Sequence, residues 1–448
     1  MNVQAGTATM ARAADERASS RAATSAFFGF LVDMFDVFLP IIVLAPAQIY
    51  FQPPTLDPAA AALAGSLVLA ATLLGRPLGS VIFGYLSDEI GRKPVTIIAV
   101  AGFGTCTILM GLLPGYATWG VASLYALIAL RFISGVFLGG EYTAANVLAM
   151  EAAPKEKRGL YSGYIQSGYP VAFVLIAALT FLMLQIFPPV GGLNSPYVMY
   201  GWRIPFIIGG VFALAFILPF RSSVMESTLW QKAEKRQNPF AAVLSGENLR
   251  RFIQVFIVLS GFWFMTIAAA AGILPGVLIR VVHLTPQKMT LVMMIASMVL
   301  IAGYMGTALL SQKIGRRATI AITAVLAGTI GLYSYYLLLL APTDFWHVTL
   351  LATLVVLTLT SGWGVVTCYL NERFPTRVRS SGFGMAFTLP VIIPSFYGFY
   401  QNLLANVMPA QFTVLVLVVV GALLTLIGAL MGPETKDVDF ASLDHSQR

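Results

Sequence analysis

The sequence predicts an all-α membrane protein in which twelve transmembrane helices form two pseudo-symmetric six-helix bundles. Three observations predict it: the composition, the places where Lys and Arg fall, and an internal repeat at about half the chain length. Of 448 residues, 58% are apolar and 10% charged, and the mean hydropathy is +0.82. Soluble proteins carry about 25% charged residues, so a bilayer is the solvent that suits this chain. Apolar runs of roughly 20 residues, the length of a spanning helix, recur at 26–46, 62–84, 94–113, 119–142, 161–186, 203–220, 252–279, 290–311, 318–340, 347–370, 383–404 and 411–431. The expected organisation is a cytoplasmic tail (1–24), a first bundle (25–220), a cytoplasmic linker (221–251), a second bundle (252–432) and a cytoplasmic tail (433–448).

Residues 1–24 are small and polar, with Arg12, Arg17 and Arg21, and read as a disordered tail. They lack the short apolar core and cleavage site of a secretory signal. The first apolar run contains LVDMFDVFLP, which places Asp33 and Asp36 where a lipid-facing helix carries no charge. Helix two contains Arg76, and helix four contains Arg131 and Glu141. An ionisable group at membrane depth is costly unless paired or hydrated, so each of these is a functional candidate. Asp33 and Asp36, three residues apart, share one helix face. At ~1.5 Å per residue, Arg131 lies roughly 18 Å along its helix, near the midplane, and Arg76 stands at a comparable depth.

Arg keeps its charge at physiological pH, whereas a carboxylate can change state. Two acids beside two guanidiniums therefore make a workable coupling device. In this reading Asp33, Asp36 and Arg131 carry proton coupling, and Arg76 and Arg131 receive an anionic substrate. Static ion pairs that fix helix packing are the alternative. Glu141, about 15 Å further toward the cytoplasmic end by the same rise, fits a gate rather than a substrate contact.

The second half has no charge at membrane depth before Glu372. It offers aromatic and amide groups instead: Trp263, Tyr304, Trp363, Tyr397, Tyr400, Gln401 and Asn402, facing Gln166 and Tyr169 of helix five. Gln166, Trp263 and Tyr397 are taken as substrate contacts. Gly135, Gly139 and Gly140 permit close helix approach, and Pro40, Pro170, Pro275, Pro390 and Pro394 are expected to kink their helices. Cys106 and Cys368 both fall in predicted helices, so neither a disulfide framework nor a thiolate metal site is implied. No HExxH and no nucleophile–base arrangement occurs, which argues against an enzyme. No GxxxxGK[ST] occurs either, so ATP is not the expected energy source, and no cofactor is expected beyond the proton gradient.

The net charge of +8 is distributed by topology. Lys and Arg concentrate in the tails and in the loops after even-numbered helices, while loops at about 47–61, 114–118, 187–202, 341–346 and 405–410 contain none. Only the loop after helix seven departs, with Arg280 and Lys288. This positive-inside pattern puts both termini in the cytoplasm and argues for a membrane role of the basic residues rather than nucleic-acid binding.

GYLSDEIGRKP (84–94) matches ALLSQKIGRRA (308–318), and EAAPKEKRG (151–159) matches ERFPTRVRS (372–380). Six-helix halves related in this way mark a large transporter fold. The run Gly84-x-Leu86-x-Asp88-x-x-Gly91-Arg92-Lys93 resembles the loop signature of the major facilitator superfamily. GRPLGSVIFGYLSDEIGRK and RFISGVFLGGEYTAANVLAMEAAPKEKRGLYSGYIQSG resemble its metabolite:proton symporter branch, near sialic-acid and sugar-porter relatives. The Asp33-Met-Phe-Asp36 run departs from that branch, whose helix-one acids are usually a Glu and an Asp.

The loop motif and its second copy are read as a gate formed by Gly84, Asp88, Gly91, Arg92, Lys93, Glu141, Glu151, Arg158, Gly315, Arg316 and Arg317, with a purely topogenic role for the basic residues as the alternative. Arg92, Lys93 and Arg158 are expected to reach Glu151, Glu226 or helix ends. Gln312 replaces the aspartate in the second copy, so a weaker lock is expected there. The expected function is proton-coupled import of a small organic anion by a monomer in a bacterial inner membrane. A zwitterion, a sugar or export are the rivals. The expected partners are a small-molecule substrate, protons and lipid, with no nucleic acid and no metal.

Overall fold

A computed structural model of the chain describes residues 2–53, 55–90, 92–140, 142–217, 241 and 243–440. Among them run twelve helical rods, numbered here α1 to α12. The first bundle comprises α1 (Asn2–Val43), α2 (Pro58–Ile90), α3 (Arg92–Gly111), α4 (Ala122–Leu138, then Tyr142–Ala152), α5 (Arg158–Gln166, then Gly168–Ile186) and α6 (Arg203–Phe212). The second comprises α7 (Gly246–Trp263, ending as Leu274–Arg280), α8 (Pro286–Ile314), α9 (Arg316–Leu326, then Leu332–Leu339), α10 (Phe345–Thr360, then Trp363–Arg373), α11 (Arg379–Thr388, ending as Tyr397–Leu404) and α12 (Thr413–Met431). Ten are long and apolar enough to cross a membrane, and the shorter apolar helices Ile97–Gly111 and Ala122–Leu138 complete the set.

Residues 2–24, expected to be a disordered tail, are helical and continuous with α1. The stretch is rich in Ala and Arg, strong helix formers, and no Pro interrupts it. Several rods overhang their apolar runs: α2 extends to Ile90, α8 covers Pro286–Ile314, and α4 continues to Ala152. An apolar run marks the hydrocarbon layer, while the helix itself persists into water as long as its backbone bonds pair. Four of the five prolines fall at irregularities, with Pro390 in a 3₁₀ turn, Pro394 in a four-residue helix, Pro275 in a first turn and Pro170 just after the break at Ser167. Pro40 lies inside α1, which ends three residues later at Val43.

Within the first bundle α1 packs on α5, α2 on α4 and α3 on α6; in the second, α7 packs on α12 and α8 on α10. The halves meet through α5 against α8 and α2 against α11. Gly135 and Gly139 set the α2–α4 distance, because the carbonyls of Thr72 and Arg76 lie where their Cβ atoms would stand. That close approach brings the rods bearing Arg76 and Arg131 together behind α1.

Candidate functional site

Both helix-one acids are buried and each meets one of the two arginines. Arg76 Nη2 donates to Asp33 Oδ2 at 2.6 Å, with both side chains 2% exposed. Asp36 sits in a larger cluster. Its Oδ1 accepts from the Thr107 hydroxyl, and its Oδ2 accepts from Ser134 Oγ at 2.9 Å and from Arg131 Nη1 at 3.5 Å. Arg131 is further held by main-chain carbonyls of α1, donating to Asp36 O at 3.0 Å and Val37 O at 2.8 Å. Among the described residues, Arg76 Nη1 and Arg131 Nε are buried without a hydrogen-bond partner. Sequence reasoning brought the four charged groups together but gave no hint of Thr107 or Ser134, which look like any small residue in an apolar run.

The opposite flank of α1 faces two cavities. The smaller, about 20 Å³, lies between the halves and is lined by Phe30, Met34, Gln166, Tyr169, Trp263 and Trp363, among others. That volume holds about one water molecule. Both amide atoms of Gln166 are buried there without a partner. The aromatic walls are fixed: Trp363 Nε1 donates to Thr266 Oγ1 at 2.6 Å, Trp263 Nε1 donates to the Phe387 carbonyl at 3.2 Å, and the rings of Tyr169 and Tyr304 stack across the seam at 6.2 Å. Gln166 and Trp263 thus line one cavity. Arg76 and Arg131 line neither cavity. Tyr397 lines the larger one, a vestibule of about 640 Å³ that includes Val37, Ser66, Leu69, Arg280 and Gln401. Ala62, Ser66 and Leu69 of α2 line this vestibule, and Arg76 continues their stripe at i+7.

On the side of the basic loops the seam is closed. Glu151 of α4 pairs with Arg379 of α11 at 2.7 Å, so the acid of one repeat copy binds the arginine of the other. Ser162 Oγ donates to Gly364 O at 2.7 Å and accepts from Cys368 N at 3.2 Å. Gln312 accepts from Gly159 N at 3.0 Å and donates to Lys155 O at 3.2 Å. The substitution expected to weaken the second lock therefore forms a bridge between halves, because an amide can both accept and donate where a carboxylate only accepts.

Arg158 donates to Val438 O at 2.9 Å, and its guanidinium and that of Arg379 lie on the Phe440 ring at 3.6 and 4.0 Å. Arg316 makes a two-pronged pair with Glu372, both bonds 3.2 Å, while Glu434 accepts from the main-chain N–H groups of Arg316 and Arg317 and lies over Gly315. Arg379 and Phe440 were missed as site residues, although Arg379 stands in the quoted repeat. Among the described residues, Glu151 pairs with Arg379 and Arg158 meets the chain's own tail. Gly91, Glu141 and Glu226 lie outside the described residues, as do the surroundings of Gly84 and the side chains of Asp88, Arg92 and Lys93.

The profile of the Major Facilitator Superfamily matches residues 26–433. An inner membrane metabolite transport protein of Escherichia coli (strain K12) is 30% identical over 391 residues, covering 82% of this chain and 84% of that protein. The shikimate transporter of the same organism is 29% identical over 406 residues, covering 87% and 86%. The solved proton:xylose symporter of E. coli, bound to 6-bromo-6-deoxy-D-glucose, overlaps with a TM-score of 0.73 at 17% identity, over 97% of this chain and 100% of that one. That last likeness is one of fold.

Proposed function

Since the chain belongs to the major facilitator superfamily, we propose that it is a proton-coupled symporter importing a small organic anion, a carboxylate metabolite, by alternating access. Membership of the family makes it a multi-pass membrane transporter of metabolites rather than an enzyme. The proton, the anion and the direction are the proposed part.

The observation that carries the proposal is the Asp36 cluster, which can be satisfied in two charge states. When the carboxylate is ionised it accepts from Thr107, Ser134 and Arg131. When it is protonated, a hydroxyl of Thr107 or Ser134 can turn to accept its O–H. Arg131 keeps the carbonyls of Asp36 and Val37 in either state. Neutralising this acid removes the carboxylate partner of Arg131 but leaves its guanidinium hydrogen-bonded to two main-chain carbonyls. Asp33 differs, because it is the one hydrogen-bond acceptor of Arg76 among the described residues, so its loss of charge leaves that buried guanidinium with neither counter-ion nor carbonyl, at a cost of about 3–5 kcal/mol, unless another anion takes its place. Arg76 already has a donor, Nη1, without a partner. In this reading Asp36 carries the proton, and Arg76 is the cation to which a substrate carboxylate is drawn as Asp33 yields.

With the basic loops in the cytoplasm, this conformation is open outward and closed inward. The termini then face the cytoplasm of a bacterium, as the charge asymmetry requires. A relative named for shikimate, a hydroxylated ring carboxylate, supports the anion. A second reading, a neutral hydroxylated ring, is favoured by the uncharged walls of the central cavity and by its Gln166 amide. Purified protein in proteoliposomes with an imposed pH gradient, offered radiolabelled shikimate, glycine betaine or xylose, separates the readings. Gradient-driven accumulation of the carboxylate alone is expected, and accumulation of only the sugar overturns the anion assignment.

A further inference from the structure

The vestibule wall carries two charges, Asp57 and Arg280. Asp57 is engaged as the cap of α2, accepting from the N–H groups of Ala59 and Ala60 at 3.0 and 3.2 Å. Arg280, at the end of α7, is one of the two basic residues that break the charge asymmetry of the loops. It forms no ion pair among the described residues, and its guanidinium folds back along its own helix. A Cβ on Gly276 would stand 2.5 Å from Arg280 Nη2, so the glycine provides the space the guanidinium occupies. Four residues earlier, Gly272 lies against the Ile267 carbonyl, and the Tyr397 Cζ stands 3.3 Å from where its Cβ would be. The side chains of Arg280 and Tyr397 line the same vestibule. The Tyr397 hydroxyl has no hydrogen-bond partner among the described residues. Gln401 and Asn402 of the same α11 segment add amide donors to the wall.

From this juxtaposition we propose a second, outer binding site for organic carboxylates, in which Arg280 and the Tyr397 hydroxyl hold the anion before it passes to the central cavity. The site rests on the anion reading above, but it is separate from the Asp33–Arg76 pair. Arg offers a planar fork that matches a carboxylate, and a phenol supplies a further donor. A cation in a low-dielectric cleft also raises the local concentration of anions. The entry mouth then selects for charge, while the uncharged aromatic chamber beneath it selects for shape. The break in the loop charge rule acquires a purpose: the one arginine placed at the vestibule serves the substrate.

The test is initial uptake of radiolabelled shikimate by the full-length protein in proteoliposomes, over a range of external concentrations. Arg280→Gln is expected to raise the half-saturating concentration about ten-fold and to leave the maximal rate at the wild-type value. Arg280→Lys is expected to recover part of the affinity. Gly276→Leu, which displaces the guanidinium without removing its charge, and Tyr397→Phe, which removes one hydroxyl, are expected to shift the same parameter. Raising the salt concentration should weaken uptake by the wild type and not by Arg280→Gln. A wild-type half-saturating concentration in both Arg280→Gln and Tyr397→Phe overturns the outer site while leaving the anion reading standing. Failure of the wild type itself to carry any carboxylate overturns both.

Discussion

Replacing Asp36 by Asn tests the coupling assignment where its geometry is most explicit. The amide keeps the size of the side chain and can both donate and accept, so Thr107 and Ser134 retain a partner. Arg131 loses one contact of 3.5 Å and keeps its two main-chain carbonyls at 3.0 and 2.8 Å. Arg131 also loses its buried counter-ion, a cost of up to about 3–5 kcal/mol that the two carbonyls it keeps reduce, and the protein should remain folded. The functional effect should be larger. A pH difference of about two units supplies about 2.7 kcal/mol per proton. With one proton per substrate that sustains roughly a hundred-fold accumulation. The variant cannot take up a proton at this position, so its internal substrate should settle at the external concentration. Exchange of labelled for unlabelled substrate, which needs no net proton movement, should continue. The assay is uptake and counterflow in the same proteoliposomes. Wild-type accumulation by Asp36→Asn would refute the reasoning, and loss of accumulation in Asp33→Asn alone would move the coupling to the other pair.

Asp33→Asn should destabilise the protein by about 3–5 kcal/mol, because Arg76 is then buried without a counter-ion. The check is the temperature at which the buried Cys106 and Cys368 react with a thiol dye, and adding Arg76→Gln should restore part of the loss. Glu151→Gln or Phe440→Ala should loosen the closed seam. With Cys106 replaced by Ala, faster maleimide labelling of Cys368, which is fully buried beside Ser162, would report the opening. Gln166→Leu should fold normally and raise the half-saturating substrate concentration about ten-fold, since the amide has no structural partner to lose. Gly135→Val should push α2 from α4 and lower the unfolding temperature sharply, as overpacking a tight contact costs about 1–3 kcal/mol or more; an unchanged value would mean the two rods do not depend on that contact.

Much of the fold was legible in the chain because a bilayer imposes a simple rule: each crossing needs its own run of apolar residues, with every backbone group paired within it. Hence the rods were countable, although their ends were not, since the helices continue past the apolar runs into stretches such as 84–90, which carries Asp88 and Glu89. The Asp33, Asp36, Arg76 and Arg131 set was equally legible, because charge in an apolar run stands out. The residues that complete the site were not. Thr107 and Ser134 are small polar residues of a kind common in membrane helices, and nothing in one sequence distinguishes a hydroxyl that binds a carboxylate from one that bonds its own backbone.

By itself, then, the sequence determined the solvent, the number of crossings, the duplication and the presence of buried charge. The tertiary structure decided which acid meets which arginine, that Glu151 binds the arginine of the opposite repeat, that the tail places Phe440 between Arg158 and Arg379, and which face is open. The division has a physical cause. Burial in lipid is a local property of each segment and leaves its mark on composition, whereas pairing depends on rotations and close approaches between segments far apart in the chain, which composition does not encode.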